Sequence, residues 1–229
     1  MKILGLIGGI SWVSTVDYYK LINTGINQKL GDLNFAECMI YSFSYGDIKK
    51  NNDANDWDAT LELITKASLS LHDGGAKAIV LCANTMHLIA DRLQERLQIP
   101  VIHIATATAE AVQAKDIKKI GLIGTRFTME RDFFRDKLTA KGIEVVIPED
   151  DDRGFLHYTI FEELGRNIFS DETKQRYIAI MNKLVEAGAE GIILGCTEIP
   201  MLVSDNDVDM PLFDTTAIHA NAAVEFYLS

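Results

Sequence analysis

Cysteine is scarce in this chain: 229 residues contain three, Cys38, Cys82 and Cys196. An odd, sparse set is not a disulfide framework. No CxxC or Cys/His cluster has metal-ligand spacing, so no metal is expected. A reducing, cytoplasmic setting is the expectation that follows. Positive charge is also short. Lys and Arg total 22 against 33 Asp and Glu, a net charge of −11, and no basic cluster exceeds Lys49-Lys50 or Lys118-Lys119. Nucleic acid is therefore not an expected partner, because phosphate binding needs a positive footprint. An anionic membrane surface is disfavoured for the same reason. A small anion remains open, since a few local donors can hold one inside an acidic protein. No run approaches the ~20 apolar residues of a membrane span. The apolar start, Met1 to Val13, has one basic residue and is interrupted by Gly8-Gly9, which reads as a strand-to-helix turn rather than a signal peptide. Neither GxGxxG nor GxxxxGK[ST] occurs.

Short apolar runs alternate with amphipathic stretches. Ile3–Ile7, Ala36–Phe43, Ala78–Leu81 and Pro100–Ile104 read as strands. Ser14 to about Leu30, Trp57–Asp73, His87–Leu97 and Thr106–Ala114 read as helices, the second stopped by Gly74-Gly75. Asn51–Asp58 and Pro148–Arg153 read as polar surface loops. The alternation implies βαβ units and a mainly parallel sheet, with chemistry at the carboxyl ends of the strands.

The chain also echoes itself. Lys2-Ile3-Leu4-Gly5-Leu6-Ile7-Gly8-Gly9 returns as Lys118-Lys119-Ile120-Gly121-Leu122-Ile123-Gly124-Thr125. Gly75 to Leu81 returns as Gly188 to Leu194, and Pro100-Val101-Ile102 as Pro211-Leu212-Phe213. The offsets, 116, 113 and 111, are nearly equal. Three matches in one order predict a duplicated half of roughly 110 residues. The expected architecture is α/β, with two pseudo-symmetric lobes, each a mainly parallel sheet flanked by helices, and the site in the cleft between them. The lobes are assigned to 1–100 plus 212–229 and to 101–211.

Aligning the halves pairs Cys82 with Gly195, Ala83 with Cys196, Asn84 with Thr197 and Thr85 with Glu198. Cys196 thus stands where a parallel strand presents its end. A thiol there can act as nucleophile or base once ionised, or can serve as a small buried hydrophobe. A short helix is expected to begin near Glu198. Cys38, mid-strand, reads as core. Gly8-Gly9 and Gly124-Thr125 offer backbone N–H groups to an anion or simply make turns. His87 could orient a ligand or cap and pack; His72, His103 and His219 read as structural. Trp12 and Trp57 read as core or loop anchors.

Gly8-Gly9-Ile10-Ser11-Trp12, Asn84-Thr85-Met86-His87, Gly124-Thr125 and Gly195-Cys196-Thr197-Glu198 stand together in an order that resembles the aspartate/glutamate racemase family. The resemblance covers essentially the whole chain and is close to the bacterial L-aspartate/glutamate-specific branch of these cofactor-independent amino-acid racemases. It implies two α/β lobes, a homodimer, and racemisation without pyridoxal phosphate or any other cofactor. It further implies two cysteines flanking the substrate α-carbon, one removing a proton and the other delivering one to the opposite face. Donors to the α-carboxylate would be Asn84, Thr85, Thr125 and Thr197, with Ile10, Ser11, Asn52 and Ala83 also lining the substrate. Glu198 would assist proton movement at Cys196.

The first-lobe motif of the family is Cys-Asn-Thr, whereas this chain reads Cys82-Ala83-Asn84-Thr85. Alanine cannot transfer a proton. Cys82, one residue earlier, belongs on the opposite strand face unless a bulge re-aims it, and is a tentative second catalytic residue. Water or Thr85 could replace it. For the substrate side chain, Asn52 falls at the matching amide position and Phe155 near an expected lysine, with Lys49, Arg153 and His157 as substitute partners. The leading expectation is thiol-based racemisation of aspartate or glutamate. A single-cysteine decarboxylase of a malonate-type acid is the alternative, and a catalytically impaired small-molecule binder a third.

Overall fold

In the computed structural model, which describes residues 2–229, the chain divides into two compact units. One runs to His103 and resumes at His219–Ser229; the other is Ile104–Ile218.

The first unit contains β1 (Leu4–Gly8), α1 (Trp12–Leu30), β2 (Cys38–Ser42), α2 (Tyr45–Asp53), α3 (Trp57–Asp73), β3 (Ala78–Leu81), a 3₁₀ turn at Asn84–Ile89, α4 (Ala90–Gln94) and β4 (Val101–Ile102). Its sheet has the order β2-β1-β3-β4, all parallel, with Leu4 opposite Ala78 and Ile7 opposite Leu81. Strand alternation sorts the side chains onto two faces. Ile7, Ile79 and Leu81 pack with Ile48 of α2 and Leu61, Ile64 and Leu71 of α3. Leu4, Leu6, Ala78, Val80 and Cys82 pack with Tyr18, Ile22 and Ile26 of α1. Each fully buried Leu or Ile stabilises the fold by about 1.5–3 kcal/mol. Two ends show how local sequence sets the helices. The Ser11 hydroxyl accepts the Ser14 N–H to open α1, and Asp56 accepts the Ala59 N–H to open α3.

The second unit contains α5 (Ile104–Gln113), β5 (Lys119–Gly124), α6 (Arg126–Glu130), α7 (Asp132–Thr139), β6 (Glu144–Val146), α8 (Asp150–Glu162), α9 (Asp171–Glu186), β7 (Ile192–Gly195), α10 (Ile199–Leu202) and β8 (Leu212–Asp214). The last helix, α11 (Thr215–Leu228), belongs to the first unit from His219 onward, where Ala220, Ala223, Val224 and Tyr227 join the α1 face of its core. The second sheet has the order β6-β5-β7-β8, again all parallel. Ile123, Ile192 and Leu194 face α8 and α9, while Ile120, Leu122, Ile193 and Phe213 face α5 and α7. The same strand order occurs in both units, so the fold is the two-lobed α/β architecture expected from the internal echo.

Several local expectations are corrected. Asn51–Asp53 is the end of α2, and Asp150–Arg153 is the first turn of α8, where three aspartates favour a helix start. The segment read as a helix from His87 to Leu97 is a 3₁₀ turn followed by the short α4. The strand expected over Pro100–Ile104 is two residues long, and α5 begins at Ile104. Trp12 is not a core anchor but 72% exposed.

Candidate active site

In the second unit, β5 and β7 end side by side, with Gly124 opposite Gly195. Thr125 and Cys196 are the next residues on each strand, so pairing alone makes them neighbours. Gly195 is required by packing. A Cβ there would lie 2.8 Å from Thr128 Cγ2 and 2.9 Å from the Ile123 carbonyl oxygen. Thr125 is buried and caps α6 by accepting the Thr128 N–H. Glu198 stands at the cap of α10, with Pro200 in that helix's first turn.

Cys196, Thr197 and Glu198 form one hydrogen-bonded group. The Cys196 thiol donates to Glu198 Oε2 at 2.9 Å, and the Thr197 hydroxyl donates to the same oxygen at 2.7 Å. Burial raises the Cys196 pKa well above its usual value, and the adjacent Glu198 carboxylate raises it further. The resting group is therefore a thiol aimed at a carboxylate. Behind it, Phe155 and Tyr177 pack in the same core, and Tyr177 shares a 3.0 Å hydrogen bond with Thr159.

In the first unit, the corresponding strand ends are Gly8-Gly9-Ile10-Ser11 and Cys82-Ala83-Asn84-Thr85. Gly9 has φ +80°, and a Cβ there would sit 2.2 Å from the Phe43 carbonyl oxygen. Its N–H donates to Thr15 Oγ1 at 3.0 Å, and that hydroxyl donates to the Ser11 carbonyl at 2.9 Å. The Gly9 amide is thus committed to the turn. Ile10 and Ser11 are half-buried beside it.

Alternation along β3 runs unbroken into the loop. Ile79, Leu81 and Ala83 pack on one face, and Ala78, Val80 and Cys82 on the other. Cys82 is 1% exposed, lies in the core under α1 and α11, and has its thiol pKa pushed far up by burial. Nothing re-aims it: the strand carries Cys82 away from the face that Ala83 shares. Cys196 and Ala83 occupy equivalent faces in their own units, next to Leu194 and Leu81.

Asn84 is buried and Thr85 half-buried in the 3₁₀ turn. His87 Nδ1 lies 3.1 Å from the Ala83 carbonyl, which assigns the proton to that nitrogen, and its ring packs on His103 and His219. Burial holds the His87 pKa well below its usual value. Asn52 is half-buried and its Oδ1 accepts from the Thr60 hydroxyl at 3.3 Å. Lys49 pairs with Asp53 within α2. Arg153 pairs with Glu130 and Asp150, so neither cation stands uncommitted. Among the described residues, no three His, Cys, Asp or Glu side chains are grouped as metal ligands, and no helix is long and apolar enough to cross a membrane.

Sequence reasoning missed Arg126. Directly after Thr125, its N–H donates to His157 Nδ1 at 3.3 Å, and its guanidinium pairs with Glu130 and Asp150. Arg126, Phe127, Arg131 and His157 line a groove of about 250 Å³ at the start of α6. Partial burial, and then the Arg126 charge, lowers the His157 pKa from its usual value. The signal was present: Arg126 opens the helix that follows a strand ending in Gly-Thr.

Comparison with known proteins bears on the whole chain. The family model described as Asp/Glu/Hydantoin racemase matches residues 7–223. A candidate Asp/Glu racemase from Yersinia pestis has a crystal structure that is similar with TM-score 0.95 and 46% identity, covering 100% of both chains. An aspartate racemase homologue from Pyrococcus horikoshii is similar with TM-score 0.87 and 33% identity, again over 100% of both. A broad specificity amino-acid racemase from Bacillus subtilis is 24% identical over 99% of this chain and 98% of its own.

Proposed function

The chain belongs to the Asp/Glu/Hydantoin racemase family, and we propose that it racemises an α-amino acid by proton transfer at Cys196, with aspartate and glutamate the favoured substrates. The carrying observation is the Cys196–Glu198 hydrogen bond of 2.9 Å at the end of β7.

The chemistry follows from that contact. Glu198 accepts the thiol proton, leaving a thiolate and a neutral carboxylic acid with unchanged total charge. The thiolate takes the substrate α-proton, and the electron pair of the broken C–H bond spreads into the α-carboxylate. That charge needs donors in a water-poor setting. The Thr125 and Thr197 hydroxyls are nearest to hand, being the neighbours of Cys196 on the adjacent strand and along the chain. Family resemblance adds Asn84 and Thr85, with Ile10, Ser11, Asn52 and Ala83 as further contacts. Return of a proton to the opposite face needs a second donor. Ala83 has none and Cys82 is in the core, so water or Thr85 supplies it. The reading uses no pyridoxal phosphate, because the thiol itself is the base. It also predicts unequal treatment of the two enantiomers.

The test is α-proton exchange in deuterium oxide, followed by NMR, for L- and D-aspartate and L- and D-glutamate. Exchange with inversion, lost in Cys196→Ser, supports a racemase. Exchange from one enantiomer without inversion means that Cys196 works and the opposite donor does not. No exchange from any of the four sinks the acidic-substrate reading. The single thiol also favours a second reading, in which the C–C bond to one carboxylate of a malonate-type acid breaks, carbon dioxide leaves, and Cys196 protonates the carbanion. Carbon dioxide release from a substituted malonate would select it. Tight binding without either reaction would mark the protein as an impaired binder.

A further inference from the structure

Between Ala83 and α4 the first unit carries a 3₁₀ turn of six residues, Asn84–Ile89. Such turns bond poorly and seldom run beyond about three or four residues. A turn this long needs ties from outside its own backbone, and His87 supplies one. A carbonyl only accepts, so the 3.1 Å contact from His87 Nδ1 to the Ala83 oxygen puts the proton on Nδ1. The bond spans Asn84, Thr85 and Met86 and closes them into a loop. The ring is 1% exposed and packs on His103 and His219 at centre distances of 5.0 and 5.1 Å, which fixes its plane.

Packing alone does not ask for a histidine there. With the proton on Nδ1, Nε2 is an acceptor, and it is buried with no hydrogen-bond partner among the described residues. An orphaned buried acceptor is destabilising. An apolar side chain would remove that orphan but would also remove the donor to Ala83. The Nδ1–H bond is therefore what the histidine contributes. The second unit meets the same need by other means. The internal alignment that pairs Ala83 with Cys196 also pairs Met86 with Ile199 and His87 with Pro200. There the Cys196 carbonyl accepts the Ile199 backbone N–H at 3.4 Å, and the fixed φ of Pro200 stiffens the first turn of α10. One unit stiffens the turn after its strand with a ring in the backbone, the other with a ring in a side chain.

We propose that His87 is a positioning residue for the reaction: its bond to the Ala83 carbonyl holds Asn84 and Thr85 where they meet the substrate carboxylate. The effect on catalysis rests on the racemase reading, which makes those two residues donors to the α-carboxylate. Negative charge grows on that carboxylate as the α-proton leaves. Donors displaced by a loosened turn then weaken the transition state more than the bound substrate. A displacement near 1 Å can slow a reaction about a hundredfold.

The experiment compares His87→Asn and His87→Gln with the wild type. Asparagine sets an amide N–H near the place of Nδ1–H, whereas glutamine, one methylene longer, carries its N–H to the Nε2 end. In α-proton exchange, kcat should stay within about threefold of wild type in His87→Asn and fall roughly ten- to a hundredfold in His87→Gln, with KM moving less than kcat. Backbone amide exchange at residues 84–86 should quicken in His87→Gln alone. Equal losses in the two variants, or a loss confined to KM, overturn the proposal. Should neither variant fold, nitrogen-15 NMR of the histidine rings in the unaltered protein decides: a neutral His87 ring protonated at Nδ1 is expected, and protonation at Nε2 overturns the tie. A wild type that exchanges no α-proton sinks the racemase reading instead, and ring protonation with amide exchange at 84–86 still decides whether His87 holds the turn.

Discussion

Replacing Glu198 with Gln separates proton transfer from folding. The amide keeps the side-chain volume and one acceptor oxygen, so at least one of the two donors, Cys196 or Thr197, retains a partner. Losing one hydrogen bond to a half-buried group costs about 1 kcal/mol, set partly against relief from holding a charge there. Unfolding free energy should therefore change by no more than ~1 kcal/mol. Catalysis should suffer far more. An amide cannot accept the thiol proton, and positioned acid–base groups contribute roughly 10²–10⁴-fold. That is about 2.7–5.4 kcal/mol of transition-state stabilisation. The substitution also removes the negative charge that raises the Cys196 pKa, so the midpoint pH for alkylation by iodoacetamide should fall. The three readouts are urea denaturation, deuterium exchange at the substrate α-carbon, and alkylation rate against pH. A variant with a more ionised thiol and a slower reaction would show that Glu198 moves protons. Exchange within threefold of wild type would refute the role. A midpoint that rises or stays fixed would refute the charge coupling.

Other outcomes follow from the same geometry. Ala83→Cys places a thiol on the β3 face equivalent to that of Cys196 and should bring the exchange rates of the two enantiomers closer together; NMR exchange of each enantiomer separately checks it. Gly9→Ala should destabilise the fold by more than ~1–3 kcal/mol, because φ +80° strains an alanine and the new Cβ meets the Phe43 carbonyl at 2.2 Å; thermal unfolding measures it. His219 is fully buried between Tyr18 and the Ile102 carbonyl, and burial lowers its pKa to about 3. The unfolded chain then binds more protons than the folded one below pH ~6.5, so stability falls as pH drops from there toward 3, by up to ~1.4 kcal/mol per pH unit for this group. Urea midpoints between pH 7.5 and 5 should fall less steeply in His219→Gln, and identical slopes would refute the account.

The strand–helix order was legible because each strand is a short apolar run bounded by glycine or a polar turn, as in Leu4–Gly8 and Ile192–Gly195. The internal echo carried more still: aligning the halves paired Ala83 with Cys196, and packing puts both on equivalent strand faces. What failed lay where few residues decide. Asn51–Asp53 and Asp150–Arg153 are polar enough to read as loops, but their helices are anchored by Ile48 earlier in α2 and Leu156 further along α8. Arg153 looked available until its partners Glu130 and Asp150 were in place, 23 and 3 residues away. The exposure of Trp12 was not legible either, because an apolar stripe on a helix looks the same whether the fold covers it or leaves it to a partner.

The duplicated strand ends also show why the thiols cannot simply exchange places. Gly195 and Cys82 are equivalent by alignment, yet only one position tolerates a side chain. At Gly195 the neighbouring Thr128 methyl and the Ile123 carbonyl leave no room for a Cβ. Cys82 instead is buried in the core cluster that also holds Ala220 and Ala223 of α11, with its thiol 3.8 Å from the Val80 carbonyl oxygen. The Ser14 hydroxyl then ties the loop from below, donating to the Cys82 carbonyl at 2.7 Å. The first unit has thus kept a thiol where it packs and lacks one where it could react. A single change at Ala83 leaves that packing untouched, whereas moving Cys82 to alanine and Ala83 to cysteine together would open a cavity under α11 and cost roughly 1–2 kcal/mol more. Restoring a second thiol is therefore a one-residue step, and the single-site Ala83→Cys variant is its cleaner measure.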